Sequence, residues 1–93
     1  MKLSEIEIKD KLAKLDSWDL QGAQIQKQFT CKNFVAAIKF VNLIADLAEK
    51  MDHHPDILVS NYNKVTITLT THSAKGLTEN DFNLAEQIEK VFK

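Results

Sequence analysis

The chain has 93 residues, 44% of them apolar, and a formal net charge of −1 at pH 7. A chain of this length and apolar content can form one domain whose core needs neither disulfides nor a structural metal. All twelve basic residues are lysines, and so small a net charge attracts neither nucleic acid nor anionic lipid, which argues against DNA-binding and membrane-surface proteins.

Cysteine usage and the N-terminal segment indicate the compartment. Cys31 is the only cysteine, so it cannot form an internal disulfide, and this favours a reducing environment. Residues 1–10 alternate charged and apolar side chains and lack the apolar run of a signal peptide. No stretch reaches the length of a membrane span. We therefore expect a soluble cytoplasmic protein made of a single domain over residues 1–93.

The N-terminal third predicts a helix followed by a hairpin. Ser4 and Glu7 match a capping box, and apolar residues at helical spacing continue to Leu15, near which the helix should end. Alternating apolar and polar residues then indicate two strands joined by a turn. We expect the strands at residues 18–20 and 23–29, with the turn at 21–22 between them.

The middle of the chain predicts a long helix over Phe34–Met51, with Asn33 as its N-cap. The polar side chains of this helix fall in one narrow stripe, formed by Lys39, Asn42, Asp46 and Glu49. A helix this apolar around its circumference is usually buried on more than one side. In so small a protein, a second subunit could cover the second side.

The C-terminal half predicts a second hairpin and a third helix. Pro55 cannot continue the long helix and drives His54 into an extended conformation, so the rings of His53 and His54 need not point the same way. Strands are expected at 57–59 and 65–69, followed by a loop over 73–77 and a helix capped from Thr78. Two antiparallel hairpins with helices on one face form a two-layer α+β domain.

All three histidines, His53, His54 and His72, are expected at the ends of these elements. Histidine can both donate and accept protons near neutral pH, so the pattern predicts a proton-transfer site on a rigid scaffold. A structural alternative for His53 is a helix C-terminal cation, which is compatible with catalysis. Zinc binding by the three imidazoles is a weaker alternative, because adjacent histidines rarely both chelate one ion and Cys31 is distant in sequence.

Two carboxylates accompany the histidines. Glu49 precedes His53 by one helical turn, so it could orient an imidazole or contact a substrate, although a solvated helix-end carboxylate is equally consistent with that spacing. Asp81 stands at the capping-box position relative to Thr78, which alone would explain it. For Asp81 we favour a structural role, in which it holds the loop of His72 against the last helix.

Four runs of residues form a specific set, although no single run would be specific: 49–55, 62–65, 71–72 and 76–81. In these runs, and over nearly its whole length, the chain resembles the pterin-4a-carbinolamine dehydratase family. The resemblance implies an α+β fold with a four-stranded antiparallel sheet and three helices packed on one face, in the order α-β-β-α-β-β-α. It also implies a homodimer or homotetramer. It assigns catalysis to His53, His54 and His72, and substrate contacts to Glu49, Pro55 and Asp81.

The activity implied by the resemblance is a hydro-lyase reaction. The enzyme would dehydrate 4a-hydroxytetrahydrobiopterin to quinonoid dihydrobiopterin, in the recycling of tetrahydrobiopterin, and would need no metal or organic cofactor because the pterin is the substrate. His53 and His54 would donate protons near the leaving hydroxyl, and His72 would act as base or anchor. The alternative is a protein-binding module, since animal members of the family resemble a dimerisation cofactor for a homeodomain transcription factor. Intact histidines favour the enzyme.

Overall fold

Three helices and a four-stranded antiparallel sheet form the fold, which confirms the α+β class and the α-β-β-α-β-β-α order predicted from the sequence. The computed structural model describes residues 1–92. The elements are α1 (Glu5–Ala13), β1 (Asp19–Gln21), β2 (Gln24–Thr30), α2 (Phe34–Met51), β3 (Asp56–Ser60), β4 (Lys64–Leu69) and α3 (Glu79–Val91). A short 3₁₀ turn, His72–Ala74, begins one residue before the predicted loop and overlaps it, between β4 and α3.

The sheet has the strand order β1-β2-β4-β3, so β4 lies inside the sheet between β2 and β3. Alternation along β4 separates the two faces of the sheet, because successive side chains of a strand point in opposite directions. Val65, Ile67 and Leu69 are completely buried beneath the helices. Leu69 pairs with Ile25 and Val65 with Phe29, so β2 supplies the neighbouring apolar residues of the same face.

The core is completed by α2 and α3. The inner face of α2 buries residues at helical spacing, namely Ala37, Phe40, Ile44 and Ala48. The inner face of α3 buries Phe82, Leu84, Ala85 and Ile88. Full burial of a leucine or isoleucine side chain contributes about 1.5–3 kcal/mol, so these two faces hold both helices on the sheet.

Local capping signals set the helix boundaries. The Ser4 side chain accepts from the Glu7 amide and the Glu7 carboxylate from the Ser4 amide, which confirms the predicted capping box. Asn33 Oδ1 accepts from the Ala36 amide at 2.8 Å and caps α2. The helix α1 ends at Ala13 rather than near Leu15, because the Leu15 amide bonds to the carbonyl only three residues earlier and tightens the last turn.

A half-buried polar cluster joins α3 to the first hairpin. Lys27 lies on the helix-facing side of β2, among apolar residues, where its Nζ bonds to Glu89 Oε2 at 2.6 Å and to the Asp16 carbonyl at 2.8 Å. Trp18 Nε1 donates to the same Glu89 oxygen at 2.9 Å. The lysine Nζ also lies 4.7 Å from the centre of the Phe29 ring. These bonds explain how a charged residue is accommodated on that face of the strand.

The outer face of α2 leaves large apolar side chains exposed within the single chain. They are Phe34, Val35, Ile38 and Leu43. The chain therefore covers one side of this helix and leaves open an outer side, on which these apolar side chains flank the exposed polar stripe. Within residues 1–92, no helix combines the length and the apolarity that crossing a membrane requires.

Candidate active site

The end of α2 directs the adjacent histidines to different environments. Asp52 takes a left-handed conformation (φ 50°), and the His53 amide bonds to the Ala48 carbonyl at 3.0 Å, which closes the helix. The His53 side chain is 10% exposed, whereas that of His54 is 60% exposed. Pro55 then leads directly into β3. The two rings therefore meet different neighbours, as the restriction imposed by Pro55 led us to expect.

His53 bonds to a completely buried carboxylate. Its Nε2 lies 2.5 Å from Asp81 Oδ1. The other oxygen, Oδ2, accepts from the Thr71 hydroxyl at 2.8 Å and from the Thr78 amide at 2.9 Å. Asp81 occupies the third position of α3, where the helix dipole favours negative charge. Burial of a carboxylate is costly unless it is hydrogen-bonded, and here both of its oxygens are.

This contact fixes the arrangement of hydrogen on the His53 ring. A carboxylate can only accept, so Nε2 of His53 carries the hydrogen that it donates to Asp81. In the neutral ring the free lone pair is then on Nδ1, and in the charged ring Nδ1 carries the second proton. His53 can therefore accept or donate a proton at Nδ1 while Asp81 holds the opposite ring nitrogen, which is an arrangement suited to general acid–base catalysis.

His54 pairs with Glu49 at the protein surface. Its Nε2 lies 2.7 Å from Glu49 Oε2, and the two side chains are 60% and 75% exposed. Helical spacing suggested His53 as the imidazole nearest to Glu49. The left-handed turn at Asp52 instead carries His53 towards α3 and leaves His54 beside Glu49. An exposed pair of this kind contributes at most about 1 kcal/mol to stability, so its value would lie in orienting the ring.

His72 lies at the same end of the sheet as the other two histidines. The antiparallel pairing of Asp56 with Thr68 places the start of β3 next to the end of β4. His54 precedes β3 by two residues, and His72 follows β4 by three. His72 is exposed, and within residues 1–92 no side-chain hydrogen bond joins it to His53 or His54. The fold thus brings the three histidines to one end of the sheet. Among them, only His53 and His54 contact a carboxylate directly.

The loop that carries His72 is closed at its base. Thr71 and Gly76 exchange two backbone hydrogen bonds, of 3.0 and 3.3 Å, across the 3₁₀ turn. Outside this bridge, the Leu3 amide donates to the Leu77 carbonyl at 2.8 Å. The Thr71 hydroxyl ties the loop to Asp81, so this carboxylate does hold the loop of His72 against α3. Its additional bond to His53 was not expected from the capping pattern.

Sequence reasoning missed the site roles of Thr71 and Thr78. Their hydroxyl oxygens lie 2.9 Å apart, and that of Thr71 also reaches Asp81. One signal was present in the sequence: Thr71 continues the parity of Val65, Ile67 and Leu69, which face the helices. A polar residue at an inward-facing position needs a hydrogen-bond partner, which here is Asp81.

Other predicted site features have simpler surroundings. Pro55 is half-buried between His54 and β3, and no polar contact involves its side chain. Among residues 1–92, no group of three histidine, cysteine, aspartate or glutamate side chains could hold a metal ion. The polar groups at this end of the sheet are imidazoles, carboxylates and hydroxyls.

A family model matches nearly the whole chain. The family model described as "Pterin 4 alpha carbinolamine dehydratase" matches residues 1–91. The chain belongs to the pterin-4a-carbinolamine dehydratase family. The resemblance noted from the sequence is thereby confirmed.

Relatives in this family share about half of the sequence. A protein of Cyanothece is 52% identical over 89 residues, which cover 96% of this chain and 91% of that protein. One of Sulfolobus acidocaldarius is 45% identical over 91 residues, covering 98% and 99%. Both are named pterin-4-alpha-carbinolamine dehydratase as a provisional assignment.

Two solved structures share the fold. A Brucella melitensis protein described as a transcriptional coactivator/pterin dehydratase has a TM-score of 0.91 and 38% identity, with 97% of each chain covered. A pterin dehydratase-like protein, described as a RuBisCO assembly factor in the alpha-carboxysome, has a TM-score of 0.68 and 24% identity, with 81% of this chain and 88% of that chain covered. At that identity the second likeness concerns the fold alone.

Proposed function

We propose that this family member is a hydro-lyase that dehydrates 4a-hydroxytetrahydrobiopterin to quinonoid dihydrobiopterin and water, in tetrahydrobiopterin recycling. The observation that supports this most strongly is the pairing of His53 with buried Asp81 at 2.5 Å, at an edge shared with His54 and His72. Family membership supplies the substrate class. The imidazoles supply groups that transfer protons near neutral pH.

The proposed reaction breaks one bond and forms one. The C4a–OH bond breaks as the electrons of the adjacent ring N–H form a C4a=N double bond. The hydroxyl leaves as water after taking a proton, and the ring nitrogen releases a proton, so atoms and charge balance. The reaction needs one proton donor and one acceptor, which imidazoles can provide without a metal or an organic cofactor.

We assign proton donation at the leaving hydroxyl to His53 and His54. The Nδ1 of His53 is the atom left available by the Asp81 bond, and Glu49 holds Nε2 of His54 in the same way. The two rings are hydrogen-bonded to different carboxylates, so they could donate protons to different faces of a bound pterin. We assign the base or anchoring role to His72, and further substrate contacts to Glu49 and Pro55. Asp81 was expected to contact the substrate as well, but it is completely buried, so we propose that it acts through His53.

The proposal extends to assembly and location. The exposed apolar side of α2 supports a homodimer or homotetramer. The absence of arginine and the net charge of −1 support a protein that makes no direct contact with nucleic acid. A single cysteine supports a cytoplasmic location.

A protein-binding module is the second candidate function. The apolar side of α2 could bind another protein as readily as a second copy, and the Brucella melitensis relative is described as both a coactivator and a dehydratase. A pure binding module has no chemical need for the buried His53–Asp81 pair. We therefore favour the enzyme.

A direct assay tests the proposed function. Freshly generated 4a-hydroxytetrahydrobiopterin is mixed with the purified protein, and its dehydration is followed against the spontaneous reaction in the same buffer. We expect catalytic acceleration at protein concentrations far below that of the pterin. Dehydration at the spontaneous rate, from a protein with an intact fold, would reject the enzyme and leave the binding module.

A further inference from the structure

Two hydroxyls, one at each end of the His72 loop, form a hydrogen-bonded chain that ends at one buried carboxylate oxygen. Thr71 is the residue before His72, and Thr78 is the residue before α3. Thr71 Oγ1 lies 2.8 Å from Asp81 Oδ2 and 2.9 Å from Thr78 Oγ1. Thr78 is buried and Thr71 half-buried. Through the opposite oxygen of Asp81, this chain of hydroxyls reaches the ring of His53.

The direction of each hydrogen bond in this chain follows from the donors available. Each threonine hydroxyl has one hydrogen to donate. Asp81 Oδ2 can only accept, so Thr71 uses its hydrogen there. The Thr78 hydroxyl must therefore donate to the Thr71 oxygen. Both hydroxyl hydrogens therefore point towards Asp81, and neither hydrogen bond can reverse its direction.

We propose that Thr71 and Thr78 are positioning residues for His53. Their ordered hydroxyls hold Asp81 in the orientation that keeps the hydrogen of His53 on Nε2 and leaves Nδ1 for the substrate. The same bonds attach the loop of His72 to Asp81, to which the His53 ring is also hydrogen-bonded. Asp81 therefore helps to hold both histidines in place. The inference rests on the proposed dehydratase function for its kinetic readout, whereas its spectroscopic readout is independent of activity.

The structure offers a matched set of variants. Thr71→Val keeps the shape of the side chain and removes the hydroxyl, whereas Thr71→Ser keeps the hydroxyl. Thr66→Val is the control. Thr66 lies in β4, the strand that leads to Thr71, but its side chain faces away from the helices and accepts from Gln28 Nε2 at 3.3 Å. Thr78→Val removes the outer hydroxyl of the chain and serves as the second test if Thr71→Val fails to fold.

The first readout is nitrogen-15 NMR of the neutral His53 ring. In the unaltered protein we expect the hydrogen on Nε2, with slow exchange of that hydrogen with water. Thr71→Val should accelerate this exchange about tenfold, because Asp81 loses a hydrogen bond that orients it. Thr78→Val should shift the exchange in the same direction by a smaller factor. Thr71→Ser and Thr66→Val should leave it within about twofold of the unaltered protein.

The second readout is the separation of kcat from KM in the dehydration assay. Thr71→Val should lower kcat on the order of tenfold with little change in KM, which is the size expected when a group that orients a catalytic side chain is lost. Thr71→Ser should restore most of kcat. An unchanged exchange rate of the His53 hydrogen in a folded Thr71→Val or Thr78→Val protein would overturn the inference. An equal effect in Thr66→Val would also overturn it.

The two readouts separate this inference from the proposed function. If the unaltered protein lacks dehydratase activity and Thr71→Val still accelerates the His53 exchange, the function is wrong and the positioning role stands. If the unaltered protein is active and Thr71→Val changes neither kcat nor the exchange, the function stands and the positioning role is wrong.

Discussion

Asp81 accepts hydrogen bonds on both carboxylate oxygens, from the ring of His53, the hydroxyl of Thr71 and the amide of Thr78. Its three partners are all donors, and its position at the start of α3 is set by the capping sequence that begins at Thr78. The same carboxylate thus serves the helix end and the site. Its replacement should therefore affect both stability and catalysis.

Asp81→Asn tests this dual role. The amide of asparagine can accept a hydrogen bond only at its oxygen, so its nitrogen would face one of the donors that now bond to Asp81. The His53 ring would then no longer be held with its hydrogen on Nε2 and with Nδ1 free. We expect kcat to fall by about 10²-fold or more, since the wrong tautomer of a catalytic histidine has such an effect elsewhere. We also expect the free energy of unfolding to fall by about 1–3 kcal/mol. Steady-state kinetics and urea denaturation measure the two effects.

The exposed Asp46 on α2 provides the control. Asp46→Asn should change neither kcat nor the free energy of unfolding by a measurable amount. Normal kcat in a folded Asp81→Asn protein would show that this carboxylate acts on structure alone.

Cys31 gives a pH-dependent prediction that is independent of the site. Burial raises the pKa of its thiol, and the thiolate is the reactive form. At pH 8 the folded protein should therefore be alkylated by iodoacetamide more slowly than a free cysteine, and its rate should continue to rise at higher pH. Mass spectrometry follows the reaction, because this thiol is the only one. Coincident pH–rate curves for the folded protein and for urea-unfolded protein would contradict the prediction.

At the scale of elements, the boundaries of α2 were predictable because both of its end signals are local. Asn33 supplies the capping oxygen, and Pro55 prevents continuation. The partner of Glu49 was not predictable in the same way. It depends on the left-handed conformation of Asp52, which turns His53 away from the helix axis and which no residue pattern specified.

Asn33→Ala measures the contribution of the α2 cap. The substitution removes the oxygen that accepts from the Ala36 amide, and the loss of such a cap costs about 1 kcal/mol, with a range of about 0.5–2 kcal/mol. Urea denaturation should show this decrease in the free energy of unfolding, with an unchanged dependence on urea. Lys32→Ala, at the exposed neighbouring position, should have little effect. Equal stability of the two variants would show that the cap contributes nothing.

At the scale of the whole molecule, the apolar side chains on the outer side of α2 stay exposed to solvent in a single chain. The exposed side chains of Val35, Ile38 and Leu43 lie on that side. Closed symmetric oligomers commonly bury surfaces of this kind. We expect a dimeric or tetrameric mass by light scattering at micromolar concentration, and a strictly monomeric mass would contradict the prediction.

Two charged substitutions distinguish the possible interfaces. Leu43→Lys should lower the mass if α2 forms the interface, because a buried unpaired charge opposes association. Leu58→Lys places the charge on β3, at the edge of the sheet, where Leu58 is also exposed. Dissociation by the second substitution alone would place the interface at the sheet edge.

The global fold and the site differ in how far sequence could predict them. Alternation in β4 indicates which face of that strand is buried, and the capping signals indicate where helices begin, so the order and layering of the fold followed from local patterns. The site depends on contacts between residues far apart in the chain, such as that of His53 with Asp81. The family resemblance placed these residues in one set, but their hydrogen bonds required the packing of α2 against α3.

Replacement of both adjacent histidines by alanine tests the central claim of histidine catalysis most directly. General acid–base assistance contributes about 10²–10⁴-fold, so His53→Ala and His54→Ala should each lower kcat/KM substantially, and the double variant should approach the spontaneous rate of dehydration. The losses should not add, because both residues serve one transition state. The midpoint of thermal unfolding should move little for His54→Ala, whose ring is exposed. A folded double variant with near-normal turnover would contradict histidine catalysis and favour the binding module.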